Sequence, residues 1–215
     1  MAHQAERPRR MTGEQRREQL LTVASRLFAE RGFARTTTRQ IARAAGVSEG
    51  AMYRHFRGKE DLLLTFVRRA VVRSADDLLA GLGDVPPDDW VRAFLRDRLE
   101  LAGRNRTLLK VVIGEALFDQ RFAREYFRTV VEPVLGLIEG EIARRVANGD
   151  FRPVDPALAA RSLLGLFVST LLWGALFERA GARVPGADGV EELAGLFLDG
   201  VRGCRPRGTR DKGGR

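Results

Sequence analysis

Apolar residues recur at helical spacing along almost the whole chain. From about Thr12 to Arg31, Leu20, Ala24, Leu27 and Phe28 fall at i, i+4, i+7 and i+8, the stripe of an amphipathic helix. Gly32 is placed to end it as the residue just past the helix. Thr37 and Gln40 have capping-box spacing, which predicts a short helix from Thr38 to about Ala45, stopped at Gly46. Ser48 is a good N-cap for another short helix, with Val47 and Met52 as its hydrophobic staple and Phe56 and Arg57-Gly58 closing it. A longer helix starts at Lys59 and carries "DLLLTFVRRAVV" toward Leu82. Pro87 opens the next, with Trp90, Phe94 and Leu101 in register. Further helices are expected around Thr107–Phe118, Gln120–Ala147, Pro156–Ala180 and Gly189–Arg202, with Pro133 kinking or splitting the second of these. No sustained alternation of period two is found, so the expected fold is all-α, about nine helices and no sheet.

One apolar run bears on the membrane question. "SLLGLFVSTLLWGALF", Ser162 to Phe177, follows Arg161 and precedes Glu178 and Arg179. It is shorter than the roughly 20 residues of a membrane span, so a buried helix is expected. The Met1 end is polar and Arg-rich without an apolar core, so no secretory signal is expected. The single cysteine, Cys204, cannot form an internal disulfide and suits a cytoplasmic protein.

Charge divides the chain. The whole carries +9, but residues 1–60 hold thirteen Lys and Arg against six Asp and Glu, a net +7. Residues 61–201 are at −3, and residues 202–215 at +5. A basic N-terminal module on a near-neutral body is the electrostatic footprint of a phosphate-binding protein. The expected organisation is a disordered basic arm (1–11), a basic head (12–60), a near-neutral body (61–202) and a disordered basic tail (203–215).

The helix-turn-helix reading rests on "AAGVS", where Gly46 permits the positive φ that bends one helix into the next. At 100° per residue, Met52 and Phe56 share one face of the second short helix. Gly50, Ala51 and Arg54 face the opposite way, with Tyr53 and His55 on the two flanks. A helix seated so in a major groove has base edges beneath it and a phosphate wall on each side. Each residue also has a plainer reading, a half-buried core aromatic for Tyr53 and a surface imidazole for His55. Lys59, a cation in the first turn of its helix, is disfavoured there by the macrodipole unless a phosphate lies at that terminus. No metal site is expected, since His3 is the only other histidine.

The stretch "LLTVASRLFAERGFARTTTRQIARAAGVSEGAMYRHFRGKEDLL", Leu20 to Leu63, resembles the DNA-binding domain of TetR-family transcriptional regulators. The resemblance implies a homodimer on a palindromic operator in double-stranded DNA. It implies phosphate contacts at Thr38, Tyr53, His55 and Lys59. Arg39, Glu49, Gly50, Ala51 and Arg54 fall where members vary and read bases or adjacent phosphates. Glu49 departs from a basic face, but its carboxylate can accept from cytosine N4–H. Arg9 and Arg10 either reach a minor groove or belong to a floppy tail.

The remaining chain resembles the family in size and helical character, which implies a helix-turn-helix DNA-binding domain over 12–60 and a ligand-binding and dimerisation domain over 61–202. Residues 156–180 and 189–202 are expected to form the dimer interface, by analogy with the family's four-helix arrangement. The family's inducer pocket makes Trp90, Phe94, Phe118, Phe122, Tyr126, Phe127 and Trp173 candidate lining, although a stripe of aromatics is also what plain core looks like. Glu115, Asp119 and Glu125 are either selectors of a cationic ligand or ordinary surface carboxylates. The function implied is a repressor released by a small, largely apolar molecule, with no cofactor. Two alternatives stand beside it: a regulator that answers to a protein partner instead, and an enzyme, which the near-absence of histidine, cysteine and Gly-rich phosphate loops disfavours.

Overall fold

The computed structural model describes residues 11–177, 181 and 187–202. The expected arm up to Arg10, the tail from Gly203 with Cys204, His3, and the end of the helix expected to reach Ala180 lie outside the described residues. Among the described residues every regular element is helical. In chain order these are α1 (Gly13–Arg31), α2 (Thr38–Ala44), α3 (Glu49–Tyr53), α4 (Lys59–Leu82), α5 (Pro87–Arg104) and α6 (Arg106–Phe118). Then come α7 (Gln120–Tyr126), a π-helical turn (Phe127–Val131), α8 (Glu132–Ala147), α9 (Pro156–Phe177) and α10 (Ala187–Val201).

The helix expected over Gln120–Ala147 is thus split just before Pro133. Proline has no N–H to donate to the preceding turn, and the backbone widens there by a π turn.

Two compact units share the chain. The first comprises residues up to Ala70 together with Asn105–Val130. So α6 and α7 group with the head helices, and the chain changes unit inside α4 and again inside the π turn. In this unit α1 packs on α2 and α6, α2 on α3, and α6 on α7. Leu20, Leu27 and Phe28 of α1, Ile41 of α2, Met52 of α3 and Leu62 and Leu63 of α4 are buried. With Ala24, also buried, the α1 residues are the stripe positions of the sequence pattern.

The second unit comprises Val71–Arg104 and the residues from Val131 onward. Here α5 packs on α10, and α9 on α8. Trp90, Phe94, Ile138, Ile142, Leu163, Ala194 and Phe197 belong to its core. On α9 only one face enters that core, through Ala159, Ala160 and Leu163. The helix runs through Arg161, so Pro156–Gly174 is by length and composition long and apolar enough to cross a membrane. The apolar run counted from Ser162 was not.

Two arginines lie inside the second unit. Arg98 Nε donates to Asp97 Oδ2 at 2.9 Å, Nη1 to the Val71 carbonyl at 2.8 Å and Nη2 to Ser74 Oγ at 2.6 Å. Arg145 Nε donates to Glu141 Oε1 at 2.7 Å and Nη2 to the Val85 carbonyl at 3.0 Å. Their guanidiniums lie near the Phe94 and Trp90 rings respectively. A buried cation is tolerable only when paired and hydrogen-bonded in this way. Replacing Arg98 by Ala takes the charged donor from the Val71 carbonyl, the Ser74 hydroxyl and the Asp97 carboxylate, and leaves Ser74 and Asp97 only their own long bond of 3.4 Å. Asp97 is about a quarter exposed and can take water instead. The expected loss is about 3 kcal/mol, the low end for breaking a buried pair, checked as a shift in the denaturant midpoint at unchanged slope.

Candidate nucleic-acid interface

Local chemistry builds the α2–turn–α3 frame. Thr37 Oγ1 accepts from the Gln40 amide at 3.2 Å, and Gln40 Oε1 accepts from the Thr37 amide at 3.0 Å. This is the capping box that the sequence spacing predicts. At the far end of α2, Gly46 has φ 66°, and the Val47 amide donates to the Ala42 carbonyl at 3.0 Å. A side chain at Gly46 would be strained in that conformation. Ser48 Oγ then accepts from the Ala51 amide at 3.1 Å and starts α3. Met52 and Phe56 are buried, which fixes the roll of α3.

Around this frame Arg39, Gly50, Tyr53 and Arg54 are exposed, while Thr38, Glu49, Ala51, His55 and Lys59 are half-buried. A Cβ added at Gly50 would meet nothing within 4 Å, so the backbone of α3 is bare there. Arg39, Arg43 and Glu49 line an open hollow of about 430 Å³ beside Ala42, Gly46 and Val47.

Three of the expected residues are joined directly. Thr38 Oγ1 donates to Glu49 Oε1 at 2.6 Å, and Tyr53 Oη donates to Thr38 Oγ1 at 3.3 Å. Lys59 has a partner that the sequence does not reveal. Its Nζ donates to the Phe33 carbonyl at 3.1 Å and sits 4.3 Å from the centre of the Phe33 ring. An ammonium has three N–H groups, so two remain for another acceptor.

Two residues outside the expected set shape this face. Arg17 on α1 lies 4.2 Å from the centre of the Phe56 ring, and its Nη1 donates to the His55 carbonyl at 2.8 Å. Thr36, buried, donates through Oγ1 to the Gly32 carbonyl at 2.8 Å and ties the end of α1 to the start of α2. The sequence gives no sign of the Arg17 contact, which spans 38 positions. His55 lies beside the start of α1, its Cε1 4.0 Å from where a Cβ on Gly13 would stand.

The aromatic residues expected around a ligand are scattered. Trp90 and Phe94 are buried and stacked 6.0 Å apart in the second unit, with Trp90 Nε1 lacking a hydrogen-bond partner. Phe122 and Tyr126 stack at 6.3 Å in the first unit, where burial pushes the Tyr126 hydroxyl above the ordinary phenol value. Phe118 is 92% exposed, and Phe127 and Trp173 are more than half exposed. Asp119 is the N-cap of α7, and Glu125 pairs with Arg128. Among the described residues no group of three metal-type side chains gathers.

Comparison with known proteins gives this geometry its context. The family description "Bacterial regulatory proteins, tetR family" matches residues 20–65, and "AefR-like transcriptional repressor, C-terminal domain" matches residues 92–194. Nucleoid occlusion factor SlmA of Vibrio vulnificus (strain YJ016) is 31% identical over 159 residues, spanning 70% of this chain and 79% of the relative. The structure of Thermus thermophilus FadR, a TetR-family transcriptional repressor in complex with lauroyl-CoA, superposes with a TM-score of 0.72 at 27% identity. That match covers 90% of this chain and 100% of the other. Bacillus subtilis FadR, in complex with stearoyl-CoA, shares the fold, with a TM-score of 0.69 at 17% identity, covering 86% and 99% of the two chains. With an N-terminal helix-turn-helix match, a C-terminal repressor-domain match and this agreement in fold, the chain belongs to the TetR family of DNA-binding transcriptional regulators.

Proposed function

We propose that the chain is a repressor that binds a palindromic operator as a homodimer and leaves it when a largely apolar small molecule binds the body. Residues 12–60 would then be the DNA-binding part and 61–202 the ligand and dimer part, working in the cytoplasm. The observation that carries the reading is the face of α3. Gly50 and Ala51 leave the backbone bare, Arg54 projects from it, and Tyr53, His55 and Lys59 stand at its edges. Small residues over the groove floor let the helix approach the bases, and the flanking groups position it on the two backbones. Thr38 and Arg39 extend the same face from α2.

Support for a second copy of the chain comes from α9 and α10. Leu158, Trp173, Leu176 and Leu196 are each about 60% or more exposed, a large apolar surface for one protein to leave in water. A groove of about 620 Å³ between these helices is floored partly by Ser162, Gly165, Ser169 and Gly200. Such small residues let a partner helix approach closely.

For the ligand, the 27%-identical repressor bound to lauroyl-CoA supports a fatty acyl thioester as the first compound class to test. A second reading, DNA binding without a small-molecule effector, is favoured by the similarity to a nucleoid occlusion factor.

Three outcomes test this. Lys59→Ala is expected to weaken binding to all duplexes alike and to lower the slope of log affinity against log salt by about one. The melting temperature is followed alongside, because the bond to Phe33 is lost too; an unchanged slope speaks against a phosphate contact. Leu196→Glu, at an exposed position, is expected to give a folded monomer by sedimentation and to lose operator affinity; a persistent dimer moves the interface elsewhere. Micromolar lauroyl-CoA is expected to release the protein from a duplex it has selected from a random pool. Full retention of the complex across acyl chain lengths removes this ligand class and leaves the second reading ahead.

A further inference from the structure

The hydroxyl relay on the DNA-facing side gives Glu49 a role of its own, beyond the general DNA binding on which it rests. Each hydroxyl has one proton to give. Tyr53 gives its proton to Thr38 at 3.3 Å, and Thr38 gives its own to the Glu49 carboxylate at 2.6 Å. A phosphate oxygen only accepts. In this arrangement the Thr38 hydroxyl therefore has nothing to offer a phosphate. Tyr53 can offer its proton only by leaving a long, neutral bond, whereas Thr38 must leave a short, charge-assisted one.

Freeing Thr38 strands Glu49. Among the described residues the carboxylate forms no ion pair, and it sits half-buried at the first residue of α3, bonded to Thr38 on α2. Released there, it needs a new donor, either Arg39 or Arg43 across the hollow the three residues line, or a base beneath α3. In the major groove the base donors are the exocyclic amines, cytosine N4–H foremost for a carboxylate.

We infer that Glu49 is a specificity-determining residue that works chiefly by penalising wrong sequences. Where no amine lies beneath α3, Glu49 keeps the Thr38 proton, withholds one phosphate contact and adds repulsion. Where a cytosine amine lies in reach, the carboxylate exchanges the Thr38 hydroxyl for that amine. Thr38 then turns its proton to the backbone. One residue thereby couples a base contact to a phosphate contact through a proton that only one acceptor can hold.

The test uses the full-length protein and two duplexes of equal length. One is enriched by the wild-type chain from a random pool, and the other is its shuffled sequence. For Glu49→Ala and for Glu49→Gln, which keeps the shape and the acceptor for Thr38, tighter binding of the shuffled duplex is expected. With Glu49→Ala the ratio of selected to shuffled affinity is expected to fall by about tenfold or more, within the usual discrimination of one base contact. A pool selected afresh by that variant is expected to lose its preference at one C·G pair in each half-site. An unchanged ratio with an unchanged selected sequence overturns the role of Glu49. Arg54→Ala and Lys59→Ala are measured in parallel. If these too leave both affinities unchanged, the DNA lies on another face, and this inference falls with that assignment.

Discussion

Everything the head offers to DNA depends on the burial of two side chains four positions apart, Met52 and Phe56. A helix of five residues has no stability of its own in water. Its existence and its roll are imposed by these anchors together with the Ser48 cap and the turn at Gly46. With the anchors inward, Gly50 and Arg54 can only face outward. Arg17 reinforces the arrangement from above, covering the Phe56 ring and holding the His55 carbonyl at the point where α3 ends. The bare centre of α3 is thus a product of packing on its hidden side.

Cations recur as structural parts in both units. Lys59 rests on Phe33 and Arg17 on Phe56 in the first, while Arg98 and Arg145 lie near Phe94 and Trp90 in the second. In each case the charge faces a ring and also donates to a backbone carbonyl, which combines a favourable quadrupole contact with a hydrogen bond. An arginine fork can satisfy several acceptors at once, as Arg98 does with Val71, Ser74 and Asp97. The basic excess of the head is therefore not all available to phosphate, and counting charges along the sequence overstates what a partner meets.

Local signals were legible in the sequence because their physics is local. The Thr37–Gln40 box, the Ser48 cap, Gly46 at positive φ, the start of α4 at Lys59 and of α5 at Pro87 all follow from neighbours within four positions. Pro133 announced a break, although its form as a π turn did not show. Long-range partners left no such trace: the Lys59–Phe33 and Arg17–His55 bonds join residues 26 and 38 positions apart. The Tyr53–Thr38–Glu49 relay was hidden for the same reason, since it depends on how α2 and α3 are brought together. The aromatics of the body were legible as helix-stripe residues but not as buried or exposed, because a stripe does not say which of its members a neighbouring helix covers.

The two tryptophans occupy opposite extremes. Trp90 is 1% exposed with an indole N–H that meets no acceptor, and Trp173 is 60% exposed beside Phe177 on the outer face of α9. An indole in a dry, unbonded site emits at short wavelength, and one in water emits at long wavelength. The intrinsic fluorescence of this protein is therefore a sum of two separable colours. One reports the integrity of the interior, and the other reports whatever comes to lie against α9, without any label being attached.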